Sequence, residues 1–511
     1  MKRISHLFLT FILIIETLCP LFGQSLYDNT WLIGFGSNLI DRQGNRSGLT
    51  SIQFNNDSLE CKYPLKGNKI AVLCFTNASI SDASGELLYY TDGFHIYNRN
   101  HEIALGGDTI NPGYIWEGYY GGAYPVQNGA IFLPMPGKKD QTILIHKPQD
   151  ISSELIREFT GCFFLYYSLI DNMGDRGWGE VIKKNEIVHY GDIAQANLNA
   201  CRHANGRDWW IVQKQSGKNI YYFFLLDPQG IRLHHEQVIG YPGDLRDFNG
   251  NDVFTKSGDK YVLCFYPGEL LIFDFDRCSG YFSNPTHIKN EVGKELSFCV
   301  AISPNDRFLY YCTTSKIWQF DLNSNNIENS KSLVSVYDGT LYRNIWTANF
   351  YHMSLAPDDK IYISCFGGNN SYIHRINHPN LKGENCNVQQ RAVFTTSEML
   401  GTLPIFPNFD LGPIAGSSCD TIYSITNSDK LTIHIKIVQD QINIENSGEY
   451  LFSIPFGIHI YDAQGKLAKL EGRTIYREAV QINVSDLIPG VYFYQIVSDD
   501  KSIGSGKFIK I

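Results

Sequence analysis

The chain has 511 residues, with 43 Lys plus Arg against 52 Asp plus Glu, 31 Tyr, 31 Phe, 45 Gly and only 19% charged residues. So few charges, against roughly 25% in an average soluble domain, exclude coiled coil, collagen and disorder, and the aromatics and glycines favour all-β structure. A net charge of -9 supplies no basic excess to neutralise phosphates, so nucleic acid is not an expected partner.

The N-terminus reads as a secretory signal. Lys2 and Arg3 precede an apolar run from Leu7 to Ile15, broken by Thr10, and Gly23 offers a small residue for cleavage, so residues 1–23 are expected to be removed. Glu16 and Pro20 cut the run short of the roughly 18 residues a membrane span needs. No other stretch is apolar enough for a span, so the mature chain is expected to have no transmembrane segment. A lipoprotein is the alternative because Cys19 follows the run, but Leu18 stands where such sites carry a small residue.

From there to about residue 412 the sequence repeats. Each unit is a strand ending in a small polar turn, then a second strand rich in Tyr, Ile and Leu, then a third. The turns centre near Gly85, Gly137, Gly206, Gly258, Asp306 and Asp359, 48 to 69 residues apart, and Gly, Asn or Asp recurs where positive φ is required. The long interval contains ISSELIREF (151–159), read as a short helical insertion. Units of this size lack a core of their own and bury one another's faces when arranged around an axis, which is the β-propeller solution. The spacing is WD40-like in length. A period near 50 with closing ends points to a seven-bladed β-propeller over residues 24–412, with six and eight blades also compatible. The last blade is expected to form from both ends, Trp31 to Asn38 completing residues 403–411.

The chain has twelve cysteines, and without Cys19 an odd number remains, so at least one thiol is free. A two-residue turn at Asn305-Asp306 sets Cys299 opposite Cys312, a candidate disulfide; two small apolar residues on a buried face is the other reading. Cys201, His203, His234 and His235 resemble a metal set only superficially, because adjacent histidines on a strand face opposite ways. No metal or cofactor is expected. Asp274 and Asp276 share a strand face, but Asp227 and Asp321 recur at the same place in other units, which indicates turn capping. No catalytic residue can be named: GxSxG, HExxH and P-loop patterns are absent. WEGYYGGAYP (116–125) lies outside the repeat. Its Trp116, Tyr119, Tyr120 and Tyr124 form a candidate ligand loop for stacking on sugars or peptides, against the alternative of a loop packed over a blade edge.

Residues 413–429 read as a linker. Beyond them, LTIHIKIV, IYDAQGKLAKL, INVSDLIPGVYFYQIV and GKFIKI alternate as half-buried strands of a small immunoglobulin-like β-sandwich, residues 430–511. This tail resembles the C-terminal sorting domain of the type IX secretion system of Bacteroidetes. Gly465, Lys466, Leu487, Gly490, Tyr492, Lys507 and Lys510 match its motif. The resemblance implies recognition by the type IX translocon as partner and delivery to the medium or cell surface. Residues 29–413 resemble uncharacterised propeller-like cargo of the same system, which implies architecture and no activity. The segment 449–454 is unusually apolar for the tail and leaves its strand count open. The expected function is an exported glycan- or protein-binding module; the alternative is an extracellular polymer-degrading hydrolase or lyase.

Overall fold

The six turn residues around which the repeat is built all take positive φ: Gly85, Gly137, Gly206 and Gly258, and also Asp306 (59°) and Asp359 (58°). Each lets one strand fold back on the next. A computed structural model describes residues 25–420 and 433–510 apart from 36–47, 56–57, 63–70, 152–159, 243–249, 266–267, 290–296, 367–369, 400, 439–440, 447–453, 476–479 and 499–500. The signal segment, most of ISSELIREF, residues 36–38 and most of 449–454 lie outside the described residues. The chain divides into two compact units, residues 1–420 and 421–511.

The first unit is a β-propeller of antiparallel sheets in chain order. Asn199–Arg202, Trp209–Lys214, Ile220–Asp227 and Gly230–Val238 make one four-stranded meander. The next runs Gly250–Phe254, Lys260–Phe265, Glu269–Phe275 and Phe282–Ile288. Ser297–Ile302, Phe308–Thr313, Lys316–Asp321 and Ser332–Val336 follow, and then Asn349–Leu355, Ile361–Phe366, Asn370–Ile376 and Val388–Met399. Ahead of these stand a sheet built on Ala130–Pro134, Gln141–His146, Thr160–Asp171 and Glu180–Ile193, a three-stranded sheet of Ala78–Ser81, Leu87–Thr91 and Ile96–Asn98, and a sheet built on Thr30–Phe35. Every residue of Trp209–Lys214 and of Phe308–Thr313 is buried, whereas outer Gly230–Val238 is half exposed, as sheets covered on both faces require.

Apolar clusters bridge each sheet to the next and close the cycle. One joins Tyr221 and Phe223 to Tyr261 and Phe273, another joins Val262 and Ile272 to Leu309 and Tyr311, and another joins Tyr310 and Cys312 to Phe350 and Ile363. The closing cluster packs Trp31, Ile33 and Phe54 on Tyr362, Ile373 and Leu403. Along the axis one recurring kind of bond runs from each inner strand to the next, and from the last to the non-strand residue Pro404. Asn199 Nδ2 donates to Asp252 O (2.7 Å), Asn251 Nδ2 to Val300 O (2.9 Å), Cys299 Sγ to Met353 O (3.4 Å) and Ser354 Oγ to Pro404 O (2.8 Å).

That pattern corrects the cysteine expectation. Cys299 and Cys312 are cross-strand partners as the turn predicts, yet both are free thiols. Cys312 Sγ donates to Tyr351 O (2.8 Å), so both sulfurs serve the contact with the following sheet. The disulfide is instead Cys278–Cys419, 141 residues apart with Cα atoms 5.6 Å apart. Residues 403–411 form no strand beside Trp31: Pro404 and Pro407 have no N–H to give a ladder, and Thr30–Phe35 pairs with Leu49–Asn55 and Val72–Leu73. The segment still fills the place, with Phe406 stacked 6.2 Å from Trp31. The beginning of the stretch read as a linker is fastened down, since Ile414 N donates to Ala204 O (2.9 Å) ahead of the disulfide.

Asp252 on the inner strand is buried, accepting from Tyr261 Oη (2.9 Å) and from Leu198 N (3.2 Å). Burial pushes its carboxyl up to about 7 from 3.8. The folded state therefore holds a proton there that the unfolded chain releases, so this group adds stability as pH falls from about 7 to about 4. Asp252→Asn should abolish that increment: the gap in urea midpoint between wild type and variant should widen toward pH 4, and a pH-independent gap would contradict it.

The second unit has two sheets. Ile433–Val438, Gln441–Asn446 and Val480–Asn483 form one; Leu467–Ile475, Ile454–Asp462, Gly490–Ser498 and Lys501–Lys510 form the other, in that order. Ile458, Ile460, Tyr492 and Phe508, on the second of these sheets, are buried.

Candidate ligand-binding face

Because successive strands alternate in direction, the turns after the inner strands (82–86, 203–208, 255–259, 303–307, 356–360) share one end of the ring. Connections after the second strands, and those leading to the next sheet, share the other. The first end is occupied by residues 404–414. Asn408 Nδ2 donates to Lys256 O (2.6 Å), Arg202 Nη2 to Phe409 O (3.3 Å), Arg277 Nη2 to Gly412 O (2.6 Å), and Ser25 N to Asp410 Oδ1 (2.6 Å). Nothing comparable crosses the other end among the described residues, and there the connection 99–129 carries the aromatic segment.

Tyr114–Tyr119 is a six-residue helix whose first N–H donates to Asp150 Oδ1 (3.3 Å). It presents Tyr119 and Tyr120, 52% and 53% exposed, while Trp116 packs half-buried on the core. Tyr120 lies 4.9 Å from the Trp116 ring and edge-on to Phe94 at 5.9 Å. Trp116 Nε1 is buried with no hydrogen-bond partner among the described residues. Tyr124 belongs elsewhere: it is 1% exposed, edge-on to Phe94 at 5.0 Å, and its hydroxyl accepts from Gln149 N (3.0 Å). Of the four residues singled out in the sequence, three gather at the surface and Tyr124 is a core residue beneath them.

Behind Tyr120 stands a polar chain that the sequence pattern does not announce. Asp92 Oδ1 accepts from Phe94 N (2.9 Å) and His95 N (3.0 Å), which folds the tight turn between Leu87–Thr91 and Ile96–Asn98. Tyr97 Oη donates to Asp92 Oδ2 (2.9 Å) and lies 3.1 Å from His95 Nδ1. With the phenol proton committed to Asp92, the hydroxyl oxygen accepts from Nδ1–H, which leaves His95 Nε2 as an acceptor. Nε2 faces Tyr120 Oη at 3.5 Å. Burial pushes His95 down, opposed by the Asp92 carboxylate, so the ring is neutral near pH 7. The motif TDGFHIYN marks the Asp-Gly turn; that its His and Tyr meet depends on the turn's closure.

The remaining polar candidates have structural work. Asp276 caps its own turn through Cys278 N (2.8 Å) and Ser279 Oγ (2.6 Å), Asp274 accepts from Lys260 and Asn284, Asp321 pairs with Arg307 and Asp227 with Arg232. His235 is stacked between Phe223 (4.5 Å) and Tyr281 (4.0 Å); contrary to the expectation that adjacent strand histidines face opposite ways, His234 Nδ1 lies 2.9 Å from His235 Nδ1, beside a register shift at Phe223 and Phe224, while Cys201 is buried beside Gly258 and His203 Nδ1 accepts from Asn205 N (3.0 Å). Among the described residues no group of three or more His, Cys, Asp or Glu is placed to hold a metal.

In the second unit, Gly465 (φ 79°) closes the hairpin between Ile454–Asp462 and Leu467–Ile475. Asp462 Oδ1 accepts from the Gln464 and Lys466 N–H groups, both 2.9 Å. Leu487 is buried before Gly490, Tyr492 Oη donates to Ile488 O (2.8 Å), and exposed Lys507 and half-buried Lys510 lie on the last strand. Residues 438–510 match the family described as the secretion system C-terminal sorting domain. The tail is a type IX sorting domain. A sorting domain of this kind implies export by type IX secretion, which makes this a secreted or cell-surface protein. No helix among the described residues is long and apolar enough to cross a membrane.

No curated protein matches the chain. Among solved structures, similarity extends to a putative 6-phosphogluconolactonase from Bacteroides uniformis (13% identity, TM-score 0.41, 73% of this chain and 97% of that one). It extends also to the periplasmic gluconolactonase PpgL of Pseudomonas aeruginosa (9%, 0.39, 73% and 98%) and to the beta-propeller domain of Myceliophteria thermophila Cps50 (12%, 0.33, 65% and 93%). These likenesses are too distant to lend an activity to the chain carrying the sorting domain.

Proposed function

We propose that this protein is a glycan-binding module delivered to the cell exterior by its sorting domain, and that it binds with the end of its ring opposite residues 404–414. The observation that carries the reading is the aromatic shelf of exposed Tyr119 and Tyr120 on half-buried Trp116, at the end opposite residues 404–414, with an indole N–H that is buried without a partner among the described residues. Aromatic faces stack on the C–H faces of sugar rings, and donors left without partners in a protein are paired when a ligand supplies the acceptor. A protein ligand uses the same surface in the second version of this reading.

The ring itself is read as seven blades on residues 24–412, because the sheets and the clusters between them return to Trp31 after that number of steps. Residues 413–420, first read as part of a linker, belong with the ring, and the tail is read as an immunoglobulin-like sandwich, residues 430–511, with the translocon as partner. The alternative is a polymer-degrading hydrolase or lyase. A glycan and peptide array probed with the purified mature protein, run beside a polysaccharide turnover screen, separates them. Binding that is lost in Trp116→Ala and Tyr119→Ala, without turnover, is the expected result; turnover without measurable equilibrium binding would overturn it.

A further inference from the structure

We propose that Tyr120 is a gate standing in a pyranose-sized slot between Phe94, His95 and Trp116, and that a sugar ring enters by displacing it, its hydroxyl taking over the hydrogen bond to His95 Nε2. The inference rests on the glycan reading above and goes beyond it by assigning the site's closed state, its polar handles and the ligand class.

Tyr120 contributes little where it is. Its ring is half exposed, and its one polar contact among the described residues, at 3.5 Å to His95 Nε2, is at the limit of a hydrogen bond. The walls behind it are fixed. Phe94 is 2% exposed, His95 5%, and the Asp92–Tyr97 chain sets the imidazole's orientation and proton. Two polar atoms beside Tyr120 suit a sugar: an acceptor at His95 Nε2, and the Nε1 of Trp116, whose ring lies 4.9 Å from that of Tyr120 and whose N–H is buried with no partner among the described residues. An alcohol donates to the first and accepts from the second, which an aromatic hydrocarbon cannot do.

Gly118 and Gly121 flank Tyr119 and Tyr120, a Cβ on either would meet nothing within 4 Å, and Gly121 has φ +83°. Open space beside both glycines leaves the backbone on either side of Tyr119 and Tyr120 without packing of its own. The phenol occupies the slot as an internal substitute for ligand, so the apparent affinity is reduced by the fraction of molecules in which the gate is shut.

The test uses the full mature protein and, as probes, the methyl glycosides of glucose, galactose, mannose and N-acetylglucosamine, titrated by saturation-transfer NMR. Tyr120→Ala and Tyr120→Ser should bind at least one of these about fivefold or more tighter than wild type, as removal of a mostly shut gate requires. Adding His95→Gln or Trp116→Phe to Tyr120→Ala should remove that gain, with unchanged circular dichroism showing that the ring is intact. Weaker binding by both Tyr120 variants would make Tyr120 a ligand contact and overturn the gate. Equal binding by all variants would overturn the slot while leaving array binding elsewhere on the face standing. Failure of the array together with failure of every glycoside would overturn both readings.

Discussion

Replacing Cys278 and Cys419 together by serine should lower the unfolding free energy of the first unit by about 4 to 5 kcal/mol, the loop-closure value for a bridge spanning more than 100 residues. The bridge joins the turn after Glu269–Phe275 to the end of the segment that crosses the ring. Without it, residues 412–420 are held by a few bonds: Arg277 to Gly412 O, Ile414 N to Ala204 O, and the Asp420 carboxylate to Gly416 N (3.1 Å). Their loss detaches one end of the segment 404–411, whose Phe406 and Phe409 rings pack on Trp31 and Trp209 and whose own bonds to Arg202, Lys256 and Ser25 then hold it alone. Denaturant unfolding with and without reductant measures the effect, and limited proteolysis should cut first between residues 412 and 420 in the reduced protein. Superimposable unfolding curves would refute it. Because the bridge forms only where oxidation is permitted, the ring reaches full stability after it leaves the cytoplasm.

Lys147→Met should cost about 2 to 3 kcal/mol, the scale for losing buried hydrogen bonds to a charged group. Lys147 is fully buried after Gln141–His146, and its Nζ donates to Ala194 O (2.9 Å), Gln195 O (2.8 Å), Asn197 O (2.9 Å) and Gln213 Oε1 (3.3 Å). Methionine fills the volume but removes the charged donor these oxygens share, with Ala194 O keeping Gln213 Nε2 (3.0 Å). The variant carries a second signature. Burial pushes the amine down to about 8 from 10.5, opposed by Cys162 and Asp252, so above pH 8 the folded state gives up a proton that the unfolded chain keeps. This group's contribution to wild-type stability therefore rises between pH 8 and 10.5, and the wild-type curve should climb relative to Lys147→Met over that window. Parallel curves would mean that the carbonyls hold the amine protonated throughout.

The local part of this fold was legible from residues. Gly or Asp at each turn dictates positive φ, strands of Tyr, Ile and Leu dictate sheets covered on both faces, and the Asn305-Asp306 turn sets Cys299 against Cys312. The tail was more legible still, because Gly465-Lys466, Leu487, Gly490 and Tyr492 are hairpin and core positions whose spacing is local. The same register argument failed on chemistry. Whether two opposed cysteines bond depends on what the neighbouring sheet offers, and Met353 O and Tyr351 O engage their sulfurs.

Residues distant in sequence and joined through the ring were not legible. Nothing in spacing links Cys278 to Cys419, or tells a turn proline that ends a strand from Pro404 and Pro407, which hold a chain extended across four sheets. WEGYYGGAYP reads as one exposed aromatic loop, but the ring takes Tyr124 as core and sets Tyr120 in front of His95. The sequence by itself determined the units, their turns and the export tail, since these follow from φ preference, side-chain period and short-range spacing. The tertiary structure decided which end of the ring is covered, which thiols bond and which aromatics stay free, because those depend on which faces the closed ring brings within a few ångströms.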